Sequence, residues 1–199
     1  TISKNRFLGF GAGALFTMIL QSSTAIAVML MTFVKTKVLK YPSTIPILIG
    51  SAVGTTITAQ LIAFKMTDYA IVFIGVGSAL YLLNNKGNVK NIGEAILGFG
   101  LLFFGLKIMS ESMYPLRTWD PFINILLTFE NSIIGIGFGA LFTALIHSSS
   151  ACIGIIMVFA GQGLISLESG MYLVLGANLG TSATALIAGF NSSQDARKV

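Results

Sequence analysis

Residues 9–23 read GFGAGALFTMILQSS and residues 135–149 read GIGFGALFTALIHSS, so the chain carries an internal repeat at an offset of 126. The match runs without a gap from 9–64 onto 135–190, with 19 identities in 56 positions. A second shared stretch, GSAVGTT at 50–56 against GANLGTS at 176–182, preserves small and hydroxyl residues along with apolar ones. Any fold of this chain must therefore accommodate two copies of one pattern.

Composition identifies the solvent. With 54% hydrophobic and 10% charged residues, 22 glycines and a mean hydropathy of +0.86, a 199-residue chain has too little polar surface to coat a water-soluble globule. An all-α integral membrane protein is expected, with glycines that let helices approach closely. The net charge of +5 would suit nucleic acid, but the basic residues sit in short loops between apolar runs and fit membrane orientation instead. No nucleic-acid partner is expected. Cys152 has no second cysteine to pair with. One histidine and one cysteine make no transition-metal cluster, and no P-loop is present. His147 beside serines lacks any nearby Asp or Glu to orient it as a base, so no enzyme is expected.

Apolar segments run over 7–34, 45–64, 69–83, 93–112, 133–160 and 171–190. The first and fifth carry serine clusters near their middles. Two readings compete for them: one long crossing, or a re-entrant hairpin. An arm ending near Leu20 would extend about 21 Å, short of the roughly 30 Å hydrocarbon core. Irregular backbone at that depth must line protein or a water-filled cavity. Charge is an independent test. With two hairpins, Lys4, Arg6, Lys35, Lys37, Lys40, Lys86, Lys90, Arg197 and Lys198 oppose Lys65, Lys107 and Arg117, a nine-to-three split; with two full crossings it is seven to five. The positive-inside rule favours hairpins, with the richer side cytoplasmic, in a plasma or bacterial inner membrane. Three crossings then separate the hairpins, which makes the repeats inverted, a pattern that points to a secondary transporter with its site near the midplane.

The expected organisation is a single membrane transport domain over 1–199. Repeat cores occupy 7–64 and 133–190, connecting transmembrane helices 69–112, and an interfacial connector 113–130. The repeat mates of 93–112 and 69–83 fall largely outside 1–199, so the chain is expected to be the core of a longer protein. Gly98, Gly100 and Gly105 could serve a homodimer interface or the fold itself. Lys107 and Glu111, four apart on one helix, suit pairing or snorkelling. The Asn191 glycosylation sequon is discounted because the topology places it in the cytoplasm.

The candidate site comprises Gln21, Ser22, Ser23 and Thr24 from one hairpin and His147, Ser148, Ser149 and Ser150 from the other. Helices broken there would offer free N–H groups and a positive dipole end to an anion. Serine and threonine oxygens could also hold sodium. A single serine pair is better read as helix-to-helix hydrogen bonding; its duplication at a fixed offset favours a site. Gly50, Ser51, Gly54, Thr55, Thr56 and Thr58, with Gly176, Asn178, Gly180, Thr181, Ser182 and Thr184, form a second pair of clusters. Each contains GxxxG, which alone means close packing. The adjoining oxygens suggest that these GT-rich transmembrane helices are interrupted and coordinate a monovalent cation.

These four motifs, QSS and GSAVGTT, then HSSS and GANLGTS, in order along nearly the whole chain, resemble the type II sodium-phosphate cotransporter family. The resemblance implies sodium-coupled import of inorganic phosphate by alternating access. Phosphate would lie between the hairpin tips, at Gln21 to Thr24 and His147 to Ser150. Sodium, the coupling ion, would bind at Ser23, Gly50, Thr55, Thr56, Ser149, Gly176, Asn178, Thr181 and Ser182. No cofactor is implied. Ala52 stands where the second repeat has Asn178, which leaves the number of sodium sites open, and His147 stands where the family has glutamine. Residue chemistry alone leaves room for a transporter of sulfate or a dicarboxylate, for an anion channel, or for a membrane sensor without transport.

Overall fold

The computed structural model describes residues 5–64, 66–83, 87–190 and 195. Lys4, Lys65, Lys86, Arg197 and Lys198, on which part of the charge count rests, and the Asn191 sequon lie outside the described residues, which are helical and contain no strand.

The repeat reappears as two matched sets of three helices. The first set is α1 (Arg6–Leu20), α2 (Ser23–Lys35) and α3 (Tyr41–Ala63). Between the sets come α4 (Ala70–Leu83), α5 (Asn88–Ser112) and the short α6 (Asp120–Leu127). The second set is α7 (Ser132–Ile146), α8 (Ser149–Gly161) and α9 (Leu167–Gly189), and each of its bounds lies 126 residues beyond its mate. Even the caps are repeated. Asn5 accepts a hydrogen bond from the N–H of Phe7, and Asn131 accepts from Ile133 and Ile134.

Glycine sets the contact between the first and third helix of each set. A Cβ on Gly13, Gly50 or Gly54 would collide with the backbone of Ile47, Phe10 or Ala14, and one on Gly139, Gly176 or Gly180 with Leu173, Ile136 or Ala140. Such contact requires bare backbone on one side. Gly13 on Ile47, Thr17 on Ser51 and Gln21 on Thr58 are successive contacts up both helices, so α1 and α3 run in the same direction. The two sets also interlock: α2 packs on α9 as well as on its own α3, and α8 on α3 as well as on its own α9. The buried core follows the same symmetry, since Ile26, Leu30 and Ile47 have as mates Cys152, Ile156 and Leu173.

Helices α4 and α5 form an antiparallel pair, with Gly77 against Leu97, Gly93 against Leu80 and Gly100 against Ile74. Gly100 thus serves the fold, whereas Gly98 and Gly105 have open space around them. Phe73 meets Phe99 edge to face across this pair, with centroids 5.1 Å apart, and Phe99 packs at a tilt on Phe103 of the same helix at 4.7 Å. The 113–130 connector does more than bridge: its Leu126 and Phe129 are buried in the core of the second set.

Four helical stretches are long and apolar enough to cross a membrane: Tyr41–Ala63, Met66–Leu83, Asn88–Thr118 and Leu167–Ile187. Asp120–Glu130 with Ser132–Ile146 would make a fifth, but the two are bent by 106°. Helices α1, α2 and α8 are shorter apolar helices. Large apolar side chains such as Phe7, Ile19, Leu82 and Leu145 are exposed around the molecule, as a lipid solvent allows.

Candidate functional site

Each first helix ends in a left-handed residue that is not glycine. Gln21 has φ 52° and His147 φ 58°, and their N–H groups close on the carbonyls of Thr17 and Thr143 at 2.7 and 2.8 Å. That conformation costs a non-glycine residue about 1–2 kcal/mol, and strain of this kind concentrates where function needs it. Ser22 and Ser148 follow in extended backbone and cap the next helix, their Oγ atoms accepting from the N–H of Ala25 and Ala151 at 3.2 Å.

The two breaks meet. Gln21, Ser22, Ser23, Thr24, His147, Ser148, Ser149 and Ser150 line one cavity of about 40 Å³, together with Thr55 and Thr181. All eight tip residues proposed from the sequence are therefore brought together, with one threonine from each GT-rich helix. A water needs roughly 10–15 Å³ of such space, so the cavity has room for a few waters or one small polyatomic ion. Helices α2 and α8 both begin at it, and each N-terminus carries about half a positive charge. Among the described residues no Asp, Glu, Lys or Arg lines it. Gln21 is held at the rim, its Nε2 donating to the Met18 carbonyl at 2.7 Å and its Oε1 accepting from Thr58.

A wider cavity of about 830 Å³ adjoins the first and shares Ser23, Thr24, Thr55, Ser149 and Thr181 with it. Its walls are paired by the repeat: Ala27 with Ile153, Met31 with Met157, Leu48 with Val174, Ala52 with Asn178, Thr56 with Ser182, Ala59 with Ala185. Met31 and Met157 join this lining without having been expected there, although both copies of the repeat carry methionine at that position.

The expected interruption of the GT-rich helices is not observed. Helices α3 and α9 run unbroken through Gly50–Thr58 and Gly176–Thr184. The glycines are seated on the neighbouring helix; Thr58 donates to Gln21, and the hydroxyls of Thr55, Thr56, Thr181 and Ser182 return to their own helix. Thr55 and Thr56 donate to Ala52 and Val53 at 2.7 and 2.8 Å, Thr181 to Ala177 at 2.8 Å, and Ser182 to Asn178 at 3.4 Å. Of the nine residues proposed for sodium, Ser23, Thr55, Ser149 and Thr181 line both cavities and Thr56, Asn178 and Ser182 the larger one. Gly50 and Gly176 line neither and pack against α1 and α7. Among the described residues no three of His, Cys, Asp and Glu cluster as a metal site; the oxygens at hand are neutral ones, which suit a hard monovalent cation.

The sequence profile of the Na+/Pi-cotransporter family matches residues 1–111 and 120–197. The chain belongs to that family. With its spanning helices, it is a multi-pass membrane protein. It is 38% identical over 184 residues to YqeW of Bacillus subtilis, covering 92% of this chain and 60% of YqeW. It is 25% identical over 193 residues to YjbB of Escherichia coli, whose name proposes inorganic phosphate export, covering 96% of this chain and 36% of YjbB. Human sodium-dependent phosphate transport protein 2B is 29% identical over 113 residues, 52% of this chain and 16% of that protein. No solved structure matches the chain at a significant level.

Proposed function

We propose that the protein of which this chain forms the membrane core carries inorganic phosphate across the bilayer, coupled to sodium, by alternating access. The observation that carries this reading is the single polar cavity formed where both helix breaks meet. Phosphate would take donors from the first turns of α2 and α8 and from the hydroxyls of Ser22, Ser23, Ser148 and Ser149. Two helix N-termini together offer about one positive charge, too little for a phosphate dianion in a cavity that no described Lys or Arg lines. A co-bound cation supplies the remainder, which makes sodium a condition of anion binding. Thr55, Thr181 and Asn178 are proposed as its oxygen donors.

The re-entrant and inverted topology is part of the proposal. A 15-residue α1 extends only about 22 Å against a core of roughly 30 Å. Its parallel course with α3, after the short loop that joins α2 to α3, supports a reversal at Gln21. Three spanning stretches, α3, α4 and α5, separate the two breaks, which supports entry of the second hairpin from the opposite face. Alternating access would move the hairpins against the remaining helices. Flux would follow the cation gradient, inward in a cell that extrudes sodium.

Radiolabelled phosphate uptake into proteoliposomes holding the full-length protein tests this reading. An inward sodium gradient should drive accumulation that a potassium gradient does not, and excess sulfate should not compete. Equal uptake with either cation, or none with correctly inserted protein, would sink the sodium-phosphate reading.

A further inference from the structure

The loop between α2 and α3 is where the repeats diverge most in charge. It carries Lys35, Lys37 and Lys40, whose repeat mates are Gly161, Gly163 and Ser166. All three lysines are exposed, and Val38 among them is 68% exposed while its mate Leu164 is half-buried. The mate loop is tied inward, Gln162 Nε2 donating to Ser110 Oγ on α5 at 2.8 Å. Thr36, the mate of Gln162, instead turns its hydroxyl back to the carbonyls of Thr32 and Phe33.

Lys37 has φ 60°, and Gly163 at the same place has φ 71°. This left-handed turn takes glycine freely and disfavours a side chain. Lysine therefore stands at Lys37 against the backbone's preference, which points to a use for its side chain. Lys35 suits the negative end of the α2 dipole, and all three lysines suit the positive-inside rule. Neither effect calls for a lysine at a glycine position or for a bare valine beside it. Helix α3 is a spanning stretch that begins at Tyr41, so the loop lies where hydrocarbon gives way to head groups.

We propose that Lys35, Lys37 and Lys40, with Val38 inserted between them, form a docking surface for anionic phospholipid head groups. Lysine stems can lie along the acyl boundary while the ammonium groups meet the lipid phosphates. Helix α2 runs from Ser23, which lines the polar cavity, to Lys35 in this loop. Docked lipid would thus hold the outer end of one of the two helices that begin at the cavity. The proposal does not depend on which anion is carried.

The test is native mass spectrometry of the full-length protein, presented with phosphatidylglycerol and phosphatidylcholine in equal amounts. Wild type should retain phosphatidylglycerol preferentially. The triple variant K35Q/K37G/K40Q should lose the preference, by about fivefold for each lysine removed, the equivalent of roughly 1 kcal/mol per juxtamembrane charge. Lys37→Gly alone keeps the turn, so retention should fall about fivefold with an undiminished melting temperature. Lys107→Gln, a charge that the proposed topology places on the opposite face, should leave retention unchanged. Equal retention by wild type and the triple variant would overturn the proposal. So would an absence of preference in wild type, as expected if another segment of the longer protein covers the loop.

Discussion

In the first repeat Thr17 Oγ1 donates to Ser51 at 2.8 Å, while in the second Ala177 stands in the place of Ser51 and Thr143, the mate of Thr17, has no hydrogen-bond partner among the described residues. The Cys152 thiol lies beside Thr143 but outside hydrogen-bond geometry. The same division runs through the two halves. Helix bounds, caps, glycine seats and the left-handed residue at each break coincide, whereas Ala52 has Asn178 as its mate, Gln21 has His147, and a lysine loop has a glycine loop. Backbone geometry is thus the element both copies retain, and the side chains around it have specialised. A site whose donors are largely backbone N–H groups and short hydroxyls tolerates such divergence.

The harshest way to break the symmetry is through the glycine seats. Gly50→Val and Gly176→Val should each lower stability by about 3 kcal/mol, the upper end for overpacking, measured as thermal melting in detergent. Gly11→Ala and Gly137→Ala, which face open space, should not. A strong effect in one repeat alone would show that the halves do not share their packing.

At the breaks, Ser23→Ala and Ser149→Ala should each reduce phosphate uptake about ten- to hundredfold, since a hydrogen bond to a charged group contributes roughly 1.5–3 kcal/mol. Melting should be unchanged, because neither residue is the cap. Ser22→Ala and Ser148→Ala should lower uptake and also cost about 1 kcal/mol of stability as lost caps. Unaltered uptake in the Ser23 and Ser149 variants would remove them from the site.

Much of this arrangement was legible in the sequence because the offset of 126 ties two helix sets together before any contact is known. The breaks at Gln21 and His147 announced themselves through polar residues in the middle of apolar runs. Helix continuity at Gly50–Thr58 did not, because glycine and threonine serve an unwound segment and a tightly packed helix equally well. Only the placement of α1 against α3 decides between them. The contact of Gln21 with Thr58, 37 residues away, and the burial of Leu126 and Phe129 depend on tertiary packing that no local pattern encodes.

Smaller effects sharpen the comparison. Thr17→Val should cost about 1–2 kcal/mol by leaving Ser51 unpaired in the core, whereas Thr143→Val should be neutral or mildly stabilising because it removes a hydroxyl that has no partner. Matched losses in chemical denaturation would mean that Thr143 has a partner after all. Asn178→Ala should raise the half-saturating sodium concentration about two- to fivefold and Ala52→Asn should lower it, in keeping with roughly 0.5–1 kcal/mol for one neutral oxygen. Identical sodium curves for both variants would take position 178 out of cation binding.

On the proposed function, the two breaks form one anion site completed by a cation. Equilibrium binding of radiolabelled phosphate to the purified full-length protein, with sodium or with potassium, addresses it directly. Saturable binding in sodium alone, lost in both the Ser23→Ala and the Ser149→Ala protein, is the predicted result. Binding that is indifferent to the cation, or that survives loss of either serine undiminished, would contradict it.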